Sequence, residues 1–321
     1  MKTYLFSLLL ILIIKAGTAQ TIAVTGKVSS NGKPVPFAFI ADKQTQNATY
    51  TDSLGTFQLK ADAASTLAVS CSGYKSTNVS VENKTNLNIV LSPGNALIST
   101  GSPTVQGMPA AEIIYDSQSQ ISDNSGQIIA KKTLEAMHGS RYLFNEWVHG
   151  YIIGQSNNII QDPHSLYNYD KISGQLLLTG DGKSAIAVDN NQLKSFTLFD
   201  HSAQPHVFEI VPAVDTKHYV ELLSPGRDYK IYKLVTTSFE KANYTTNGIS
   251  SSGHNYDEYT DNDTHYVLKT GLTPKKFDLK KKSIKNAFAD QADKLNKFIT
   301  GEGDAEIDDN YLKRLGDYFN K

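Results

Sequence analysis

Among 321 residues there is one cysteine, Cys71, so no disulfide can form within the chain. Its stability must come from packed cores, and 40% apolar residues with 10% aromatic suffice for that. Charge of one sign is also lacking, with 31 basic against 32 acidic residues. That balance argues against a nucleic-acid binder, which would need a concentrated basic face. Long apolar runs are missing after the first twenty residues, so no later segment is expected to span a membrane, although peripheral association stays open. No metal, phosphate or cofactor signature survives its spacing test, and the sequence leads us to expect no cofactor.

The first residues do carry a pattern. Lys2 is followed by the apolar run Tyr4 to Ile14, and then by Lys15-Ala16-Gly17-Thr18-Ala19. A basic start, a short apolar centre and small residues at Gly17 and Ala19 predict a signal peptide over residues 1–19, cut before Gln20. The run of eleven is short for a bilayer core, which takes about 20 residues. Removing Lys2 and Lys15 leaves 29 basic against 32 acidic residues. The expected address is exported: periplasm, outer-membrane surface or extracellular space. Sequons at Asn47, Asn78, Asn83, Asn243 and Asn262 matter only in a glycosylating host.

From Thr21 to Leu91 the apolar residues alternate in short runs broken by turn residues. Asn31-Gly32 supplies the positive φ angles of a tight hairpin, and Asp52-Ser53-Leu54-Gly55 has an Asx start and a glycine end. The strand-like run Leu67 to Cys71 predicts a buried, inert thiol. About seven short strands make a sandwich. Five features stand in order: Gly26-Lys27-Val28, the run Pro34 to Ile40, Thr51-Asp52-Ser53-Leu54-Gly55-Thr56-Phe57, Gly73-Tyr74 and Leu91-Ser92-Pro93. Together they resemble the carboxypeptidase-regulatory-like family. The resemblance implies a transthyretin-like, seven-stranded sandwich over residues 20–93, an accessory domain common at the start of bacterial envelope proteins. It implies no peptidase chemistry. In this reading Asp52 and Gly55 form the hairpin, Phe57 anchors the core, and Gly73 keeps the backbone slim beside Tyr74.

Residues 94–111 have linker composition, rich in Gly, Pro, Ser, Ala and Asn. A short helix is expected over Gln127 to Met137. Strand signals then predict a larger antiparallel β domain of eight to ten strands over residues 112–282. The stretch Gly139 to Trp147 with Leu166 to Tyr169 bears a faint resemblance to uncharacterised bacterial envelope proteins. Ile284, Phe288, Ala292, Leu295 and Ile299 form one helical stripe, and Ile307, Tyr311, Leu315 and Phe319 another. Residues 283–321 should therefore be C-terminal helices packed as a lid. The fold class is mainly β.

Several sites are candidates. His206 and Glu209 match H-x-x-E, a zinc pair, yet alternation sets them on opposite faces of a strand. With His218 or His265 they would serve a hydrolase. Gly182-Lys183-Ser184 ends like a phosphate loop but lacks its first glycine, and Asp181-Gly182 reads as a turn. Asp257, Glu258, Asp261, Asp263 and His265 crowd one segment, where Asp261-Asn262 reads as a solvated hairpin tip rather than a calcium site. Lys275, Lys276, Lys280, Lys281, Lys282 and Lys285 make the strongest basic run, read as a solvated edge. Tyr142, Phe144, Trp147 and Tyr151 form an aromatic cluster, a core element or a surface for sugar rings and peptides. Trp147, Tyr142 and Tyr151 are the candidate ligand contacts. The expected function is binding or assembly without catalysis, with an envelope protein, a glycan or a peptide as partner.

Overall fold

A computed structural model describes residues 20–94, 108–109, 137–246 and 249–321. The expected leader, the helix expected from Gln127 and most of the expected linker lie outside the described residues. Strand outweighs helix by 44% to 14%, which makes the chain mainly β. It divides into two compact units, one of residues up to 70 with 74–93 and one of 71–73 with 94–321.

The first unit has eight strands: β1 (Thr21–Ser30), β2 (Lys33–Pro34), β3 (Phe39–Asp42), β4 (Ala48–Tyr50), β5 (Thr56–Asp62), β6 (Thr66–Ser70), β7 (Thr77–Ser80) and β8 (Asn86–Val90). They form two four-stranded sheets. In one, β1 pairs antiparallel with β2 and β5 and parallel with β8; the other runs β4-β3-β6-β7. Seven strands are expected; the eighth is the two-residue β2, created by the Asn31-Gly32 hairpin with φ of 50° and 77°. Period-two alternation puts Val24, Val28, Phe57, Leu59, Leu87 and Ile89 inside from one sheet and Ile40, Leu67 and Val69 from the other.

The family-like residues now have causes. A Cβ on Gly26 would lie 2.3 Å from the Leu87 carbonyl oxygen and 2.6 Å from the Phe57 ring, so only glycine lets β8 and the core ring close on β1. Asp52 accepts from the amides of Leu54 and Thr56, each at 2.9 Å. The fully buried Thr51 hydroxyl accepts from the Ala38 amide at 2.8 Å and donates to the Val35 carbonyl at 2.7 Å. Gly73 departs from the expectation: open space surrounds it, and its need is a φ of +80°, not slimness.

The second unit has β9 (Met108–Pro109), β10 (His149–Gly154), β11 (Ile159–Ile160), β12 (Leu166–Asp170), β13 (Gln175–Thr179), β14 (Ser184–Ala187), β15 (Leu193–Phe199), β16 (Pro205–Glu209), β17 (Val220–Ser224), β18 (Tyr229–Glu240), β19 (Thr245–Thr246), β20 (Ser251–Ser252), β21 (Glu258–Lys269) and β22 (Lys275–Phe277). An eight-stranded antiparallel sheet runs β11-β10-β15-β16-β17-β18-β21-β22, and a smaller sheet runs β12-β13-β14-β9. One expectation fails here. Asp261-Asn262 is no hairpin tip but the middle of β21, whose every residue from Glu258 to Lys269 pairs with β18. Thr236, opposite Asn262, extends the ladder through a pair that turn-prone residues alone would have broken.

Three helices close the chain: α1 (Lys281–Ala287), α2 (Ala292–Glu302) and α3 (Asp309–Phe319). The single stripe expected from Ile284 to Ile299 is split by a 3-10 turn at Ala289–Gln291. Asp308 caps α3, accepting from the Tyr311 amide at 2.7 Å. Ile284, Phe288, Leu295, Leu312 and Leu315 pack with Ile231, Val267 and Phe277 of the sheet. Each such side chain contributes roughly 1.5–3 kcal/mol on burial. Among the described residues no helix is long and apolar enough to cross a membrane.

Candidate functional site

Cross-strand register places Phe208, Glu221, Lys233, His265 and Phe277 opposite one another on successive strands β16, β17, β18, β21 and β22. Residues directly opposite share a face, so this is one row on the covered side of the sheet. It starts in an apolar cluster with Tyr169, Phe196 and Tyr219 and ends in the helix-covered cluster with Phe277 and Phe288. Between those ends sit three ionisable groups, and burying a charge requires a partner.

The partners come from elsewhere in the unit. His206 on β16 sets Nδ1 2.7 Å from Glu221 Oε1 and Nε2 3.7 Å from Asp200 Oδ2. Glu221 is 6% exposed. Burial would lower the His206 pKa, but the hydrogen bond from Glu221 and the charges of Glu221 and Asp200 outweigh it and hold it above the ordinary value. Farther along, Asp309 at the first residue of α3 accepts from His265 Nε2 at 3.0 Å and pairs with Lys233 Nζ at 2.9 Å. Lys233 also reaches Asp263 at 2.9 Å. Burial would raise the Asp309 pKa, yet those two donors bring it down to about 2. Against the cost of burial, Asp309 and Asp263 push the Lys233 ammonium upward. A cleft of about 420 Å³ opens beside this cluster, with Lys233, His265, Asp309, Leu279 and Ile307 in its wall.

A second cluster lies toward the loop end of the β18–β21 pair, where Thr237 stands opposite Asp261. Lys171, whose side chain is 5% exposed, places Nζ 2.7 Å from both Asp261 oxygens, and the Thr237 hydroxyl donates to the same carboxylate. Arg141 holds Asp170 at 2.5 Å.

The structure separates most of the sequence candidates. Glu209 accepts from the Tyr232 hydroxyl and pairs with Lys230 at 3.2 Å, while His206 is held by Glu221. His218 lies against Asp215 at 3.2 Å. Asp257 accepts from the Ala242 amide, Asp261 takes Lys171 and Asp263 takes Lys233, so these carboxylates face different partners. Among the described residues no three His, Cys, Asp or Glu side chains are set to hold a metal. Asp181-Gly182 is the β13–β14 turn, with Asp181 accepting from the amides of Lys183 and Ser184 at 2.8 Å. Tyr151 is 7% exposed, its ring 6.1 Å from Phe199. Tyr142 is half-buried with the Arg141 guanidinium 5.6 Å from its ring centre, and Trp147 is half-buried. Phe144 packs on the Tyr169–Phe196 cluster. Cys71 is half-buried, and burial pushes its thiol pKa up.

Glu221, Lys233, Asp309 and Lys171 were not singled out from the sequence. The available signal was parity: Glu221 and Lys233 occupy positions that point inward in otherwise apolar strands.

No curated protein and no solved structure matches the chain. The model of one family, the CarboxypepD_reg-like domain, does match, over residues 24–99. With its hairpins, its Gly26 contact and its two sheets accounted for, the N-terminal part of this chain is a carboxypeptidase-regulatory-like domain.

Proposed function

We propose that the chain is a non-enzymatic cell-envelope protein with a binding or assembly role, exported by its first 19 residues. What supports this reading most is the use to which the second unit puts its inward ionisable groups. His206 is spent on Glu221, His265 and Lys233 on Asp309, and Lys171 on Asp261. Each pair joins different elements, so the charges serve the frame, and each imidazole already carries a carboxylate. The N-terminal domain is of an accessory kind, which fits delivery or docking of the larger unit. A glycan, a peptide or another envelope protein is the partner, with Trp147 as the ring nearest to use.

The test uses purified residues 20–321. Trp147, the single tryptophan, should change emission saturably with a soluble oligosaccharide or peptide, while no member of the panel is turned over. Hydrolysis abolished by His206→Gln or His265→Gln would overturn the proposal. Fractionation of the producing cell should find the mature chain, starting at Gln20, in the envelope or medium; retention of a full-length chain in the cytoplasm would sink the exported address.

A further inference from the structure

β21 is paired along its whole length on one side only. Every residue from Glu258 to Lys269 stands opposite β18. On the other side β22 covers His265 to Val267, and His138 bridges to Glu258. Between those covers lie residues 260–264, a length of roughly 17 Å at about 3.4 Å per residue. The Tyr259 amide donates to the His138 carbonyl at 2.9 Å, away from β18, so the odd-numbered residues of β21 turn their backbone groups outward. Asp261 and Asp263 therefore present two amides and two carbonyls to the gap, and none of them has a hydrogen-bond partner among the described residues.

The gap has a local cause. β22 would run on along this edge if its chain stayed extended beyond Phe277. Instead the Asp278 amide donates to the Ser283 hydroxyl at 2.9 Å and the Lys280 amide to the Asp278 carbonyl at 2.7 Å, which turns the chain into α1. Thr260, Asp261, Asn262 and Asp263 are all exposed, so solvent reaches both faces of the stretch. No proline, lysine or bulge blunts it, and the charges of Asp261 and Asp263 are already met by Lys171 and Lys233. Such an edge is a template for another strand. The cleft of about 420 Å³ opens at the β22 end of the gap, with Asp263 and Thr264 in its wall. Leu279 and Ile307 give it an apolar lip. Of its two lysines, Lys233 is spent on Asp263 and Asp309, which leaves Asp278, Glu306 and Asp308 against Lys276. A long cationic side chain suits that wall, with its methylenes on the lip and its head among the carboxylates.

We infer that this edge of β21 takes an extended segment of another protein as an added strand, and that the cleft takes a lysine or arginine side chain of that segment. Backbone bonds to Asp261 and Asp263 supply the hold, and the acidic wall selects the residue. The inference rests on the proposed binding role and gives it a peptide site independent of Trp147.

The experiment is amide-resolved hydrogen exchange on residues 20–321 with the strand-forming peptide acetyl-Thr-Val-Arg-Val-Thr-amide as probe. At saturating peptide the Asp261 and Asp263 amides should exchange about tenfold more slowly, the scale of one new hydrogen bond each. The Asn262 amide, turned toward β18, should not change. Glutamate in place of the peptide's arginine should weaken binding about threefold, the scale of a part-exposed charge contact, and Glu306→Lys at an exposed position should erase that preference. Asp263→Pro removes an outward donor and leaves the β18 ladder intact, so binding should be lost, whereas Asp263→Ala should keep it. Two peptides N-methylated at alternate positions test the same point on the native chain if the proline variant fails to fold: one should bind and the other should not. Unchanged exchange at Asp261 and Asp263 under millimolar peptide, or equal binding of the two methylated peptides, would overturn the edge site. A Trp147 response to peptide with those amides unprotected would also overturn it and leave the binding role standing. Amides already protected in the concentrated chain without peptide would overturn it in favour of a second copy.

Discussion

At Gly316 the backbone of α3 passes tightly over Ser224 of the sheet, and replacing it tests the seating of the helical cap. A Cβ there would lie 2.0 Å from Ser224 Oγ, 2.3 Å from Ser224 Cβ and 3.4 Å from Ile231 Cδ1. Two effects compete in Gly316→Ala. Alanine in a helix interior is favoured over glycine by about 0.5–1 kcal/mol. Forcing a methyl group into a filled interface costs about 1–3 kcal/mol. Ser224 is on a β-strand, is 1% exposed and cannot swing its Cβ aside, so the clash prevails. The expected net loss is about 1–2 kcal/mol. A second substitution separates the causes. Ser224→Gly removes both clashing atoms, including a buried hydroxyl that lacks a hydrogen-bond partner. In the double variant the methyl group fits, and the two changes should be non-additive by at least about 1 kcal/mol in the favourable sense. Urea unfolding read by Trp147 is the assay, because the single tryptophan lies in the second unit and reports it separately from the first. Gly316→Ala that stabilises the second unit, or strict additivity with Ser224→Gly, would refute the close contact.

Three further outcomes follow from the same geometry. The folded-state pKa of His206 is raised, so its stabilisation is fully present below the ordinary histidine value of about 6.5 and is lost as pH rises through the raised one; Trp147-monitored urea midpoints should show that decline, and His206→Gln should remove it. Asp261→Ala strands the buried Lys171 ammonium and should cost about 2–4 kcal/mol, whereas Lys171→Met leaves a half-exposed carboxylate and should cost less than half as much; equal losses would contradict the burial of Lys171. Asp308→Ala uncaps α3 and should cost about 1 kcal/mol in the same unfolding assay, with no change in the unfolding of the first unit.

The first unit was legible because its turns are made by residues whose backbone preferences are local. Asn31-Gly32 and Asp52 to Gly55 need nothing beyond themselves to turn the chain, and the strands between them alternate cleanly. What did not show was the parallel pairing of β8 with β1, since no local feature distinguishes a parallel neighbour from an antiparallel one. In the second unit the apolar runs marked strands and the helical stripes marked the cap. Asp261-Asn262 misled because turn residues were weighed without the twelve-residue partner that holds them extended. The charged row was harder still. Glu221 and Lys233 look like solvent-facing residues until register puts them beneath α3 and beside His206, and register between β17 and β18 passes through an irregularity between Leu222 and Ser224 that no counting of residues anticipates.

The parallel ladder between β1 and β8 also orders events in time. Thr25 to Ser29 of the first strand wait for Asn86 to Val90 of the last, more than fifty residues later, before that edge of β1 is covered. A chain that emerges from its N-terminus cannot finish this domain one hairpin at a time. Until residue 90 is free, β1 offers an unpaired edge to any strand it meets. Closure of the domain then becomes a single late step, in which Gly26 admits the arriving backbone and the first strand is sealed by the last.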